Sequence, residues 1–161
     1  MQLTEINLTI CGVEELPDQK GKPWTHVISI RDKLFKQDSK HRLTVQSVAP
    51  EAQYHFAFFE DTTDRSHPDA PSRVDVEKIL DFTRDLSSEA KILVHCQGGV
   101  SRSPAIAYAI VCQHNNPGQE CEGLNYIKSI RPWIVPNKLI VEWADQLLER
   151  GGQMVLQLGY D

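Results

Sequence analysis

Residues 91–103, with the sequence KILVHCQGGVSRS, constrain the fold of this chain more than any other stretch. The apolar run at residues 92–94 is typical of a strand that is covered on both faces. Gly98 and Gly99 permit a tight turn, and Pro104 suits the first turn of a helix, where its missing N–H is not needed. The stretch therefore predicts a buried strand, a short loop and the start of a helix.

The loop between this strand and this helix is suited to binding an anion, because a loop that opens a helix aims its backbone N–H groups at one point. Cys96 lies at the start of the loop and Arg102 at its end. The amide dipoles, the helix N-terminus and the Arg102 cation all favour a nucleophilic thiolate at Cys96. Arg102 can hold two phosphoryl oxygens as a fork. These residues predict in-line attack of Cys96 on phosphorus and a phosphocysteine intermediate.

The pattern His-Cys-x-x-Gly-x-x-Arg-Ser at residues 95–103 resembles the signature loop of the cysteine-dependent phosphatases of the protein tyrosine phosphatase superfamily, and most closely that of the dual-specificity group. Residues 25–30 look like the early core strand of that family, and residues 131–137 look like its later turn, with Asn137 capping the last helix. The resemblance spans residues 25–148. It implies an α/β fold with a central, largely parallel twisted sheet flanked by helices, and with the signature loop between a strand and a helix.

The resemblance also implies roles for the residues beside the nucleophile. His95 is expected to orient the loop and to tune the thiolate rather than to act as a base, and Ser103 can donate a hydrogen bond to the Cys96 sulfur. No metal or other cofactor is expected, because Arg102 and the amides neutralise the phosphate charge. The backbone N–H groups expected to bind phosphate beside Arg102 belong to Gln97, Gly98, Gly99, Val100 and Ser101.

The departing alkoxide or phenoxide needs a proton, and the signature loop itself contains no acid. The family keeps an aspartate on a separate upstream loop that follows a strand, and the matching position here is Asp61. Glu60 and Asp64 remain alternatives because the register rests on one local match. A solvated loop with three carboxylates and no catalytic role is also compatible with this segment.

Alternation of apolar and polar residues over residues 4–10 and 52–59 predicts two strands, and residues 25–30 supply another. Together with residues 91–96 they account for a small sheet. Arg31 and Asp32 end the second strand, and we expect both to be solvated.

Helical spacing follows Ser72, which begins a capping box, and continues over residues 73–86 before the chain reaches the signature strand. A strand, a crossover helix and a strand predict a parallel βαβ unit. Residues 122–130 and the segment after Asn137 predict two more helices. Residues 34–49 are compatible with more than one structure.

The chain has 161 residues, which suits one domain over residues 1–161. Its net charge of −5 disfavours nucleic acid and anionic membranes as partners, and no apolar run approaches the ~20 residues of a membrane span. The cysteines at positions 11, 96, 112 and 121 lack metal-site spacing, and we expect Cys112 and Cys121 to be buried. A thiolate nucleophile and the absence of a signal peptide favour a cytoplasmic protein.

The predicted function is hydrolysis of phosphotyrosine in a phosphorylated protein, with phosphoserine and phosphothreonine as further substrates. The side chains of Gln97, Val100 and Ser101 carry no positive charge that would attract a polyphosphorylated lipid. Two alternatives stay open. One is a non-catalytic phosphate-binding pseudophosphatase, and the other is a phosphatase for a non-protein phosphate such as a phosphoinositide or an RNA 5′-phosphate.

Overall fold

The computed structural model describes residues 2–160 and is built around a sheet of four parallel strands. The strand order is β1-β4-β2-β3. Strand β4 lies between β1 and β2, and its Ile92, Leu93 and Val94 are fully buried, as expected for a strand covered on both faces. The predicted α/β fold with a central parallel sheet is therefore confirmed. The strands are β1 (Asn7–Gly12), β2 (His26–Arg31), β3 (Gln53–Phe58) and β4 (Lys91–Cys96).

Helices cover both faces of the sheet, and the sheet separates the apolar interior into two clusters. Helix α1 packs on one face through Val45 and Val48, together with Leu16 of the first 3-10 helix, and helices α2 to α6 pack on the other. Helix α3 begins at the end of the signature loop, and every residue from Ala105 to Cys112 is buried. The α-helices are α1 (Ser39–Val48), α2 (Arg73–Phe82), α3 (Arg102–Gln113), α4 (Glu120–Ile130), α5 (Lys138–Leu147) and α6 (Gln153–Leu158), and the 3-10 helices are Val13–Gln19 and Lys33–Gln37.

Two element boundaries differ from the sequence prediction by three residues or more. Strand β1 begins at Asn7 rather than near residue 4, because the backbone of Thr4 exchanges hydrogen bonds with the Asn115 side chain instead of a neighbouring strand. Helix α2 ends at Phe82, where the Thr83 hydroxyl bonds to the carbonyl of Ile79. The segment that the sequence left open forms the second 3-10 helix and α1.

Two predictions about burial are wrong. Cys121 is exposed on α4, although Cys112 is buried as expected. Arg31 is only 7% exposed and Asp32 forms a salt bridge, so the end of β2 is not a solvated terminus. Sequence periodicity does not reveal this, because Arg31 ends the apolar strand, Asp32 follows it, and both carry charges that normally face water.

The sheet brings the carboxyl ends of its strands to one edge. Gly12 at the end of β1 is in register with Cys96 at the end of β4, and Ser29 of β2 is in register with His95. This edge is where ligands bind in open α/β sheets. Within residues 2–160, no helix combines the length and the apolar character needed to cross a bilayer.

Candidate active site

Cys96 ends β4 with its sulfur in contact with hydrogen-bond donors. The sulfur lies 3.1 Å from the Ser103 hydroxyl oxygen and 3.2 Å from the Gly99 backbone nitrogen. A thiolate can only accept hydrogen bonds, so both groups would donate to the ionised form. The side chain is 2% exposed and lies at the N-terminus of α3, where the helix dipole also favours negative charge.

The signature loop folds against the backbone of β1 at Gly99, which has a φ of +71°. A Cβ atom there would lie 2.6 Å from the carbonyl carbon of Cys11 and 2.7 Å from the nitrogen of Gly12. The Val13 N–H also donates to the Gln97 carbonyl at 3.0 Å. Gly99 is therefore required both for its backbone conformation and for the close approach to β1.

Arg131 holds the signature loop through carbonyl oxygens. Its Nε donates to Gly99 at 2.7 Å and its Nη2 to Gly98 at 3.2 Å. Glu15 receives the two Nη atoms as a fork, at 3.0 and 2.6 Å, and this hydrogen bonding lowers the pKa of Glu15 and raises that of Arg131. The sequence predicts only that Arg131 lies in a turn. No local signal identifies its partner, which lies 116 positions away.

Arg102 is 4% exposed and is anchored by one of its terminal nitrogens. Its Nη1 donates to Asp32 at 2.7 Å and to the Phe59 carbonyl at 2.8 Å. Its Nε and Nη2 have no hydrogen-bond partner among residues 2–160. That edge of the guanidinium is the one that can hold two phosphate oxygens.

Asp32 and Glu60 form a carboxyl pair behind this arginine. Burial raises the pKa of Asp32, but hydrogen bonds with Glu60 and Arg102 outweigh burial and leave the pKa below its ordinary value. The hydrogen bond with Asp32, together with burial, raises the pKa of Glu60. The environment therefore favours the charged form more strongly at Asp32, beside Arg102, than at Glu60.

Asp61 is the predicted acid that contacts the signature loop. Its Oδ1 accepts hydrogen bonds from the Ser101 hydroxyl at 2.7 Å and from the Asn137 amide at 2.9 Å. Asn137 also accepts from the Ile140 N–H at 3.0 Å, which is the predicted cap of α5. Asp64 instead bonds to Ser66 within its own loop, which lowers the pKa of the Asp64 carboxyl.

His95 is fully buried behind the loop, and burial lowers its pKa to about 3. Its Nδ1 lies 3.2 Å from the Cys96 carbonyl oxygen and its Nε2 lies 2.6 Å from the Ser29 hydroxyl. The ring is neutral, so it fixes the backbone at Cys96 without adding a charge. In the part of the chain that the structure describes, no group of three histidine, cysteine or carboxylate side chains is placed to hold a metal ion.

Comparisons with known proteins agree on one family. The model of the dual specificity phosphatase catalytic domain matches residues 25–149. Mouse dual specificity protein phosphatase 14 is 30% identical over 100 residues, which are 58% of this chain and 49% of that protein. The tyrosine-protein phosphatase pmp1 of Schizosaccharomyces pombe is 26% identical over 107 residues, which are 65% of this chain and 35% of that protein. The chain thus spans half or less of the length of these relatives.

A solved protein structure shares this fold. The crystal structure of Tk-PTP in its active form superposes with a TM-score of 0.60 at 21% identity, over 91% of this chain and 94% of that one. At this identity the likeness shows the fold alone.

Replacing Gly99 with alanine should destabilise the protein by about 2 kcal/mol or more, because the new Cβ meets β1 backbone and φ is positive. Urea unfolding and phosphate affinity measure the effect. Gly98→Ala is the matched control, since a Cβ at Gly98 has its nearest neighbour at 3.9 Å. Equal stability of the two variants would contradict the argument from close approach.

Proposed function

The chain belongs to the dual specificity phosphatase family, and we propose that it hydrolyses phosphate esters of proteins, phosphotyrosine foremost, through a phosphocysteine intermediate. The observation that carries this proposal is the position of the Cys96 sulfur. It lies within hydrogen-bond reach of the Gly99 N–H and the Ser103 hydroxyl. Arg102, at the other end of the same loop, keeps a guanidinium edge that has no partner in residues 2–160.

In the first step the substrate phosphate would lie among the loop N–H groups of residues 97–101 and the free edge of Arg102. The Cys96 thiolate attacks phosphorus, so that a sulfur–phosphorus bond forms and the bond to the ester oxygen breaks. Asp61 donates its proton to the leaving oxygen. The negative charge that develops on the phosphoryl oxygens is stabilised by donors that are already in place.

In the second step water attacks the phosphocysteine and inorganic phosphate leaves. The Asp61 carboxylate takes the proton of the attacking water, and the bond between phosphorus and sulfur breaks. Ser103 donates a hydrogen bond to the departing Cys96 thiolate, which makes it a better leaving group. The proton therefore returns to Asp61 and the enzyme is ready for another turnover.

The choice of Asp61 over its neighbours rests on contacts. Asp61 is bonded to Ser101 of the signature loop, whereas Glu60 is engaged with Asp32 and Asp64 with Ser66. Asp61 is also exposed, so it can approach a bound ester. Of the three carboxylates, it alone has a direct hydrogen bond to the loop.

A protein substrate is favoured by the charge around the loop. Asp32, Glu60 and Asp61 surround Arg102 and the Ser101 end of the loop, so a headgroup with several phosphates would meet repulsion. A cleft of about 400 Å³, lined in part by Asp61, Ser101 and Lys138, adjoins the loop and offers room for residues that flank a phosphorylated side chain. The need to keep the thiolate reduced supports a cytoplasmic location.

Replacing Cys96 with serine should abolish turnover of p-nitrophenyl phosphate while vanadate binding remains, because a hydroxyl is not ionised at neutral pH but the loop amides are unchanged. Cys121→Ser removes an exposed thiol and should keep full activity. Activity of the Cys96 variant within tenfold of wild type would contradict the mechanism. Vanadate binding by a wild-type protein without turnover would favour the pseudophosphatase alternative.

Replacing Asp61 with asparagine should lower kcat by roughly 10²–10⁴, as for a lost general acid. The loss should shrink for substrates with very good leaving groups, which need no proton. Glu60→Gln and Asp64→Asn are matched controls that remove one negative charge from the same loop. If either control showed the leaving-group dependence and Asp61→Asn did not, the acid would be assigned to the wrong carboxylate.

The substrate class can be tested by kcat/KM on phosphotyrosine, phosphoserine and phosphothreonine peptides beside short-chain phosphoinositides and a 5′-phosphorylated RNA. We expect phosphotyrosine peptides to be at least tenfold better than the inositol lipids and the RNA, because of the acidic surroundings of the loop. A tenfold preference for a non-protein phosphate would overturn this part of the proposal and leave the cysteine mechanism intact.

A further inference from the structure

A chain of four buried side chains leads from the signature loop to helix α1. His95 contacts Ser29 at 2.6 Å, Ser29 contacts the Nε2 of His41 at 3.0 Å, and the Nδ1 of His41 contacts the Nη1 of Arg31 at 3.2 Å. At its other ring nitrogen, His95 contacts the Cys96 carbonyl at 3.2 Å. None of the four side chains is more than 7% exposed.

The direction of every hydrogen bond in this chain follows from its two ends. A carbonyl oxygen only accepts, so the Nδ1 of His95 carries the hydrogen and its Nε2 accepts from Ser29. A guanidinium only donates, so the Nδ1 of His41 is unprotonated and its Nε2 carries the hydrogen. The two halves meet at Ser29, which accepts from His41 and donates to His95. In each of the four hydrogen bonds, the donor therefore lies on the Arg31 side and the acceptor on the side of the Cys96 carbonyl.

This arrangement requires both rings to be neutral, and the surroundings keep them so. Burial, and next the Arg31 charge, lower the pKa of His41 to about 4, while burial lowers that of His95 to about 3. A protonated His41 would turn an N–H toward the guanidinium and break the chain. The charged groups that face these side chains from neighbouring elements are Asp32 after β2, Asp38 and Arg42 at α1, and Arg102 of α3.

Arg31 is unusual as a buried cation. It forms no salt bridge within residues 2–160, its buried Nε has no hydrogen-bond partner, and its guanidinium stacks on the Phe35 ring at 3.7 Å. Burial lowers its pKa, and the charges that offset this effect include Asp32 and an ionised Cys96. By reciprocity, the Arg31 charge favours the thiolate of Cys96.

We propose that Arg31, His41 and Ser29 are positioning residues that act on the Cys96 nucleophile through His95. The chain selects one tautomer of His95, fixes the Cys96 carbonyl and places a buried positive charge behind the signature loop. Only the nucleophilic role of Cys96 is taken from the proposed function. The hydrogen bonds in such a chain strengthen one another. Each side chain that accepts a hydrogen bond from the Arg31 side becomes a better donor to the next side chain.

The test is the rate at which iodoacetamide alkylates Cys96 as a function of pH, followed by mass spectrometry. The reagent is neutral, and the measurement does not require turnover. Arg31→Met should raise the midpoint of the Cys96 alkylation profile by about one pH unit. Arg31→Lys keeps the positive charge, so its midpoint should lie closer to that of the wild type. The exposed Cys121 in the same molecule serves as a reference, and its profile should not move.

Substitutions at Ser29 and His41 separate positioning from packing. Ser29→Ala removes the link at little change in volume and should shift the midpoint in the same direction. The glutamine in His41→Gln can still accept a hydrogen bond from Arg31 and donate one to Ser29. The midpoint of this variant should therefore lie nearer to the wild-type midpoint than that of His41→Leu. Arg42→Met removes a positive charge from α1 outside the chain and should shift the midpoint by less than a third of the Arg31→Met effect.

An unchanged midpoint in Ser29→Ala and in folded Arg31→Met, together with a lower free energy of unfolding, would overturn the proposal and leave the chain a structural role only. If Arg31→Met does not fold, Ser29→Ala and the two His41 variants decide the matter alone. A shifted midpoint in a protein without phosphatase activity would support this inference while contradicting the proposed function.

Discussion

The hold of Arg131 on the signature loop is the interaction on which the site depends. A loop that binds an anion must direct its N–H groups inward, and its carbonyl oxygens then need donors elsewhere. Arg131 supplies those donors to Gly98 and Gly99, and it reaches the Ile10 carbonyl of β1 as well. Glu15 balances the arginine charge. The loop is therefore shaped by a cation that lies outside it and never needs to touch the substrate.

Arg102, like Arg131, is a buried arginine that is paired with a carboxylate. A buried guanidinium needs a counter-ion, and Asp32 provides it through Nη1 alone. Because the carboxylate occupies one nitrogen, the remaining edge keeps its fork geometry. Arg102 thus has a counter-ion on one side and keeps its other edge available for a phosphate.

The parts of the molecule that the sequence predicted are those specified by neighbouring residues. Strand β4, the glycine turn and the start of α3 lie within one continuous stretch, and the cap of α5 depends on a residue three positions from its partner. The pairs Arg131–Glu15 and Arg102–Asp32 join residues 116 and 70 positions apart. Each acidic partner looks locally like a solvated charge, so periodicity and turn chemistry carry no signal for either pair.

The contact of Glu15 with Arg131 also determines how large the functional unit is. A fragment that began at residue 25 would retain Asp61 and the entire signature loop. It would lack β1, whose backbone packs on Gly99, and it would lack the counter-ion of Arg131. An uncompensated arginine would then be left beside the loop, together with an unpaired edge of β4. The smallest unit that can keep the candidate active site in this arrangement therefore extends toward the N-terminus beyond the segment that contains the site residues.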